Sequence, residues 1–200
     1  MKLWPKTYSL TSEKNGIITV REWLGRASVR VGGYEESGYY LIPLIRSGLR
    51  KIPRTSVQNI LLLGLAGGTM VREIEYIFPK ASVTVVEWDP VMVQVAKNIR
   101  PWKKEPEICV GDMFEVVPRL EQEKREFDLV IVDVFFGGVP DGRLADQEHL
   151  SSVAKVLAPE GFLFVNLFES VSFIPAFEVH MRLVDTWKID YNNLALFSKK

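Results

Sequence analysis

Ile60-Leu61-Leu62-Leu63-Gly64-Leu65-Ala66-Gly67-Gly68-Thr69-Met70 runs from four apolar residues through a series of small ones into an amphipathic stretch that reaches Phe78. A short, continuously apolar run bounded by glycine reads as a strand buried on both faces, and the change of period after Thr69 reads as a helix. The glycines allow the sharp turn between them and let backbone approach a ligand, with amides at the helix start facing it. Taken alone the loop also has a purely steric reading, because tight strand-to-helix turns need glycine whether or not a ligand binds.

The same alternation continues downstream. Val83 to Val86, Ile108 to Val110, Leu129 to Val132 and Phe162 to Val165 are strand-length apolar runs. Between them lie the amphipathic stretches Pro90 to Ile99, Phe114 to Leu120 and Gln147 to Leu157. This order predicts an α/β fold from about Gln58 to Asn166, a Rossmann-like, doubly wound and mostly parallel sheet. Met181 to Ile189 and Leu194 to Phe197 read as two strands joined by a turn at Asp190 to Asn193, an antiparallel C-terminal hairpin closing the sheet. Upstream, the turn signal Lys14-Asn15-Gly16 precedes the β-branched run Ile17 to Glu22. Gly25-Arg26 separates that run from Ala27 to Val31, where Gly32-Gly33 breaks the strand. Tyr39 to Ile45 reads as a helix against the main sheet, followed by a loop containing Pro53. Residues 1–50 are thus expected to form a small β-hairpin appendage with a linking helix, and residues 51–200 the nucleotide-binding domain.

Composition narrows the function. The 200 residues are 47% hydrophobic, enough for one sizeable core, and 25 basic residues balance 25 acidic ones. A net charge of zero leaves no electrostatic footprint for nucleic acid. The single cysteine, Cys109, has no thiol to pair with, so a reducing compartment is the natural reading. The absence of a signal-like or membrane-length apolar run gives the expectation of a soluble, cytoplasmic protein without a membrane partner. His149 and His180 share no helical ligand spacing and are expected to be solvated or capped, with no metal site. Arg50, Lys51 and Arg54 read as solvated surface.

In a doubly wound sheet ligands bind beyond the carboxyl ends of the strands, so the residues where each apolar run stops are informative. Glu87 stands at the tip of the second strand, where a carboxylate accepts ribose hydroxyls, while Asp89 reads as the cap of the helix from Pro90. Asp112, after Gly111, either accepts from an adenine amino group or caps the next helix; Met113 and Phe114 offer apolar surface to a ring, and Trp88 can cover it. Asp133 ends the fourth strand beside the reactive part of a nucleotide laid across the switch point.

In this order, the glycine loop, acidic tip, Gly-Asp and strand-end Asp resemble the cofactor site of class I S-adenosylmethionine-dependent methyltransferases. The flanks are similar to the spermidine synthase family: Ile60 to Ile74 with its Val71-Arg72-Glu73 continuation, Thr19 to Gly33, Asp133 to Leu150, and Leu157-Ala158-Pro159-Glu160-Gly161. The likeness spans most of the chain. It implies S-adenosylmethionine or its decarboxylated form as cofactor, held by Gly64, Ala66, Gly67, Gly68, Glu87, Trp88, Asp112 and Met113. It also implies Asp133 as catalytic residue and Glu36, Tyr40 and Phe136 as substrate contacts.

Departures from the family pattern shape the functional expectation. The aspartate that helps hold the donor amine in aminopropyl transfer is replaced by Gly67, and a second acid three residues after Asp133 is replaced by Phe136. Glu36 stands near the position of a family glutamine, and no tyrosine–histidine pair follows in Glu35 to Leu44. These departures match spermidine synthase-like proteins, and the leading expectation is a methyltransferase-like transferase acting on a small-molecule acceptor, an amine among the candidates. Polyamine aminopropyl transfer is the alternative and requires rescue by acids such as Glu36 and Asp141. A third reading is a non-catalytic nucleotide-binding or interaction protein, with Val134 to Phe136 closing a homodimer contact. A dehydrogenase using NAD ranks below these, because the glycine spacing lacks the dinucleotide fingerprint. Glu169 to Phe177 leaves little material for a lid.

Overall fold

In the computed structural model, which describes residues 4–54, 56–99, 101–136 and 139–200, four antiparallel strands come first: β1 (Lys6–Ser12), β2 (Gly16–Trp23), β3 (Arg26–Val31) and β4 (Tyr34–Ser37). The turn at Lys14-Asn15 joins β1 to β2 with Ser12 opposite Gly16, as the sequence predicts. Alternation puts Ile18, Val20, Val29 and Val31 on one buried face of this sheet, and the apolar side of a later helix, through Met92 and Val95, covers it. The appendage is therefore fixed above one end of the main sheet.

Next comes α1 (Ile42–Leu49), begun by Pro43 in its first turn. Then β5 (Asn59–Leu63), α2 (Thr69–Ile77), β6 (Ser82–Glu87), α3 (Pro90–Ile99), β7 (Glu107–Val110), α4 (Met113–Gln122) and β8 (Phe127–Val132) follow in βαβ order. A short pair, β9 (Phe135–Phe136) and β10 (Val139–Pro140), precedes α5 (Gln147–Val156), β11 (Leu157–Phe168), α6 (Ile174–Glu178), β12 (Met181–Ile189) and β13 (Asn192–Lys199). The main sheet has the order β12-β13-β11-β8-β5-β6-β7, parallel from β11 to β7, with β13 antiparallel to both its neighbours. The chain runs outward through β5, β6 and β7 and then returns to β8 on the other side of β5, so the switch point lies between β5 and β8.

Ile60, Leu61, Leu62 and Leu63 are fully buried, which explains why β5 reads as an unbroken apolar run: helices cover both its faces. Ile60 and Leu62 join the core under α1 and α2, while Leu61 and Leu63 join the one under α4 and α5. The fold class and the closing hairpin are as expected from sequence.

Several local expectations need correction. Lys51 is held by Asp185 at 2.7 Å and lies over the Trp187 ring, so the basic run touches the C-terminal hairpin. His149 is buried against Phe114, ring centroids 4.5 Å apart, rather than solvated, and its Nδ1 has no hydrogen-bond partner among the described residues. The Nε2 of His180 is likewise buried without a partner among the described residues. Glu73, in the Val71-Arg72-Glu73 continuation, is also buried, paired with Arg46 of α1 at 2.6 Å. Leu157 belongs to β11, whose register shifts between Leu157 and Phe162 around Pro159 to Gly161. No described helix is long and apolar enough to cross a membrane.

Candidate nucleotide site

The carboxyl ends of β5, β6, β7 and β8 surround a cavity roofed by the appendage. Gly64, Ala66, Glu87, Trp88, Asp112, Met113, Asp133 and Glu36 all line it. Of the other residues the sequence points to, Gly67 and Gly68 stand behind the wall, and Tyr40 is exposed in a separate hollow with Arg21, Arg26 and Glu35. The side chain of Phe136 lies outside the described residues. Asn15, Val31, Met92, Phe135, Asp141 and Arg143 also reach the cavity.

The glycine loop is shaped by close approach. Gly64 has φ +97°, and a Cβ there would lie 2.4 Å from the Asp133 carbonyl oxygen. That contact brings the ends of β5 and β8 together, with Asp133 N donating to Leu63 O at 3.0 Å and Gly64 N to Val86 O at 2.9 Å. Gly67 packs under the appendage: a Cβ would meet Val29 Cγ2 at 2.6 Å and Ser37 Cβ and Oγ at 2.8 Å. Gly68 caps α2 and faces Trp102.

Glu87 is buried at the tip of β6, with its carboxylate turned back into this loop. Oε2 accepts from the amides of Leu65 (2.9 Å) and Ala66 (3.4 Å), and Oε1 accepts from that of Asp89 (3.0 Å). Burial raises its pKa; the three backbone donors oppose the rise. Asp89 accepts from Val91 N at 2.8 Å, the cap expected from sequence, and its other oxygen accepts from Ser12 Oγ and Asn15 Nδ2 of the appendage. The strand tip thus fastens the roof as well as the loop.

At the cavity end nearest β8, Asp133 accepts from Asn166 Nδ2 at 3.1 Å. That amide is itself fixed, since Nδ2 also donates to Asn192 Oδ1 and Oδ1 accepts from Phe168 N, each at 3.1 Å. Burial raises the Asp133 pKa and the Asn166 hydrogen bond pulls it down. Glu36, reaching in from β4, is pushed up to about 7 by burial and then by the charges of Asp133 and Glu87. It makes no hydrogen bond or ion pair among the described residues. Asn166 follows Val165, the last residue of β11 paired with the parallel strand β8, just as Asp133 follows Val132, so the rule that selects Asp133 also selects it.

The opposite end is built around a cation. Asp112 caps α4, accepting from Phe114 N at 3.1 Å, and also accepts from Arg143 Nη1 at 3.0 Å. Both sequence-level readings of Asp112 therefore stay geometrically open. Arg143 donates to Asp141 through Nη2 (2.7 Å) and Nε (3.1 Å), with its guanidinium 4.0 Å above the Phe114 ring. Behind Phe114, burial pushes His149 down to about 4, so its ring is neutral at pH 7. The cavity is polarised: Glu36, Asp133 and Glu87 at one end, and carboxylates balanced by Arg143 at the other. Nothing in the sequence marks Arg143, which lies in the polar turn Asp141-Gly142-Arg143.

A doubly wound sheet with a glycine loop and an acidic strand tip at its switch point defines a Rossmann-like fold. Superposition agrees: a probable spermidine synthase from Corynebacterium glutamicum matches 98% of this chain and 81% of its own at TM-score 0.77 and 18% identity. Human methyltransferase-like protein 13 in complex with SAH matches 80% of this chain and 79% of its own at TM-score 0.62 and 23% identity. Residues 45–174 match the Spermine/spermidine synthase domain, and the chain belongs to that family. Similar curated proteins carry two chemistries. One is the polyamine aminopropyltransferase of Vibrio vulnificus, 25% identical over 115 residues, which are 56% of this chain and 38% of that protein. Another is the eEF1A lysine and N-terminal methyltransferase homolog of Drosophila pseudoobscura, 29% identical over 125 residues, which are 58% of this chain and 18% of that protein. The chain spans less than two fifths of the length of either relative.

Proposed function

We propose that this chain binds S-adenosylmethionine and transfers its methyl group to a small-molecule amine, as a soluble, cytoplasmic enzyme. The polarity of the cavity carries the reading. Its acidic end suits a sulfonium and an approaching ammonium, and its opposite end, with Trp88, Met113 and Phe114, suits an uncharged base.

Bound there, the donor supplies an electrophilic methyl carbon, and displacement leaves a neutral thioether. The protein's own part is alignment and proton removal. An amine attacks only as the free base, so its proton must first go to a carboxylate. Asp133, anchored by Asn166, is placed to orient the nitrogen, and Glu36 is poised near neutrality to take the proton. Residues 51–200 would hold the donor, and the appendage would supply Glu36 from above.

Two observations favour methyl over aminopropyl transfer. Gly67 stands where that chemistry uses an aspartate, and the contacts with Val29 and Ser37 leave no room for any side chain there. Of the two acids that might substitute, Asp141 is already held by Arg143, which leaves Glu36 alone. The test is calorimetric titration with S-adenosylmethionine, its decarboxylated form and methylthioadenosine. Tighter binding of the carboxylated donor is expected. Preference for the decarboxylated donor would move the assignment to aminopropyl transfer, and binding of none would leave a scaffold without turnover.

A further inference from the structure

We infer that Arg143 is a base-reading residue: with Asp112 it presents a donor beside an acceptor, and the pair recognises the edge of adenine where an amino group adjoins a ring nitrogen. The inference rests on the adenosyl-nucleotide reading above and assigns that nucleotide's base selectivity to a residue on the turn after β10.

Arg143 is held in one place from several directions. Its backbone amide donates to Asp141 Oδ1 at 2.9 Å, its Nε and Nη2 engage the same carboxylate, and Nη1 engages Asp112 at 3.0 Å. Phe114 supports the guanidinium plane from below at 4.0 Å, with the His149 ring 4.5 Å from Phe114. A guanidinium has five N–H groups, so among the described residues this arrangement leaves one N–H on each terminal nitrogen without an acceptor. The side chain is 53% exposed and lines the cavity, which puts the guanidinium within reach of a ligand held there.

Asp112 complements it. Each of its oxygens accepts one hydrogen bond, from Phe114 N or from Arg143, and a carboxylate oxygen has a second lone pair. An exocyclic amine can therefore donate to Asp112 while the neighbouring ring nitrogen accepts from Arg143. Because the arginine is already oriented, ordering it costs little on binding, and its rigid fork is not reproduced by lysine. A guanidinium that merely ordered the turn would be indifferent to a ring nitrogen in the ligand.

The experiment is a binding cycle between Arg143 and single atoms of the base, using methylthioadenosine and its 1-deaza and 7-deaza analogues, which replace one ring nitrogen by CH and keep the amino group. For the unaltered protein, one deaza analogue should bind about tenfold more weakly than the parent, the loss of one charge-assisted hydrogen bond. In Arg143→Met that ratio should fall to within about twofold, and in Arg143→Lys it should fall likewise, so a poorly folded methionine variant still leaves a deciding arm. Equal affinity of the unaltered protein for all three ligands, or a tenfold ratio surviving in the folded variants, overturns the assignment. Failure of the unaltered protein to bind methylthioadenosine overturns the adenosyl reading itself, a separate and recognisable outcome.

Discussion

Replacing Gly67 by alanine should loosen the roof of the site from the glycine loop. The added methyl would sit 2.6 Å from Val29 Cγ2 and 2.8 Å from Ser37 Cβ and Oγ, all inside normal contact distance. Neither neighbour has room to yield: Val29 is fully buried, and Ser37 Oγ is tied to Thr69 Oγ1 at 2.7 Å. Overpacking of this kind costs about 1–3 kcal/mol. For a protein near this size each kcal/mol lowers Tm by about 2–4 °C, so a drop of roughly 2–12 °C is expected in a calorimetric or circular-dichroism melt. Val29→Ala removes the nearest clashing atom and on its own costs on the order of 2 kcal/mol for lost packing. Combined with Gly67→Ala it should cost less than the sum, by about 1 kcal/mol, because the cavity made by one change receives the methyl added by the other. Strict additivity, or a Gly67→Ala variant melting within about 1 °C of the parent, would refute the view that steric closure excludes a side chain at this position.

Other consequences can be measured directly. Glu36→Gln should flatten the pH dependence of stability: the native carboxyl sits near 7 against an ordinary value of 4.5, so the folded state holds the proton more tightly and stability falls as pH rises between those values. The variant should match the parent at pH 5 and exceed it at pH 8 by on the order of 2 kcal/mol, read from denaturant midpoints. Glu87→Gln puts an amide donor among three backbone donors, and should cost about 1–3 kcal/mol and weaken adenosyl binding; unchanged stability would show that the loop does not depend on the carboxylate. Asn166→Ala removes the donor that holds the Asp133 pKa down, so an Asp133 carboxyl followed by carbon NMR should titrate at higher pH than in the parent.

The main sheet could be read from sequence because its physics is local. Ile60 to Leu63 or Leu129 to Val132 cannot face water on either side, and glycine or an acid at the end of such runs marks where helices begin. The Asn15-Gly16 turn is equally local. The weaker readings all depend on partners distant in sequence. Glu73 looks like a surface residue until α1 brings Arg46 to it, and Lys51 looks solvated until the C-terminal hairpin brings Asp185. His149 likewise looks solvated until Phe114, far away in sequence, closes over it.

In the candidate site the same distinction separates position from role. Strand ends fix where Glu87, Asp112 and Asp133 stand, and all three reach the cavity. What each carboxylate does depends on its hydrogen-bond donors, and those come from remote segments: the glycine loop for Glu87, Arg143 for Asp112, Asn166 for Asp133. Glu36 differs because no such donor reaches it among the described residues, which leaves its proton to be set by burial and by neighbouring charge. Three of these acids thus hold the shape of the site, and Glu36 retains a proton that can move near neutral pH. Acid count along the sequence would assign the proton-accepting role to Asp133. Under the methyl transfer we propose, counting donors in three dimensions would give orientation to Asp133 and proton transfer to Glu36.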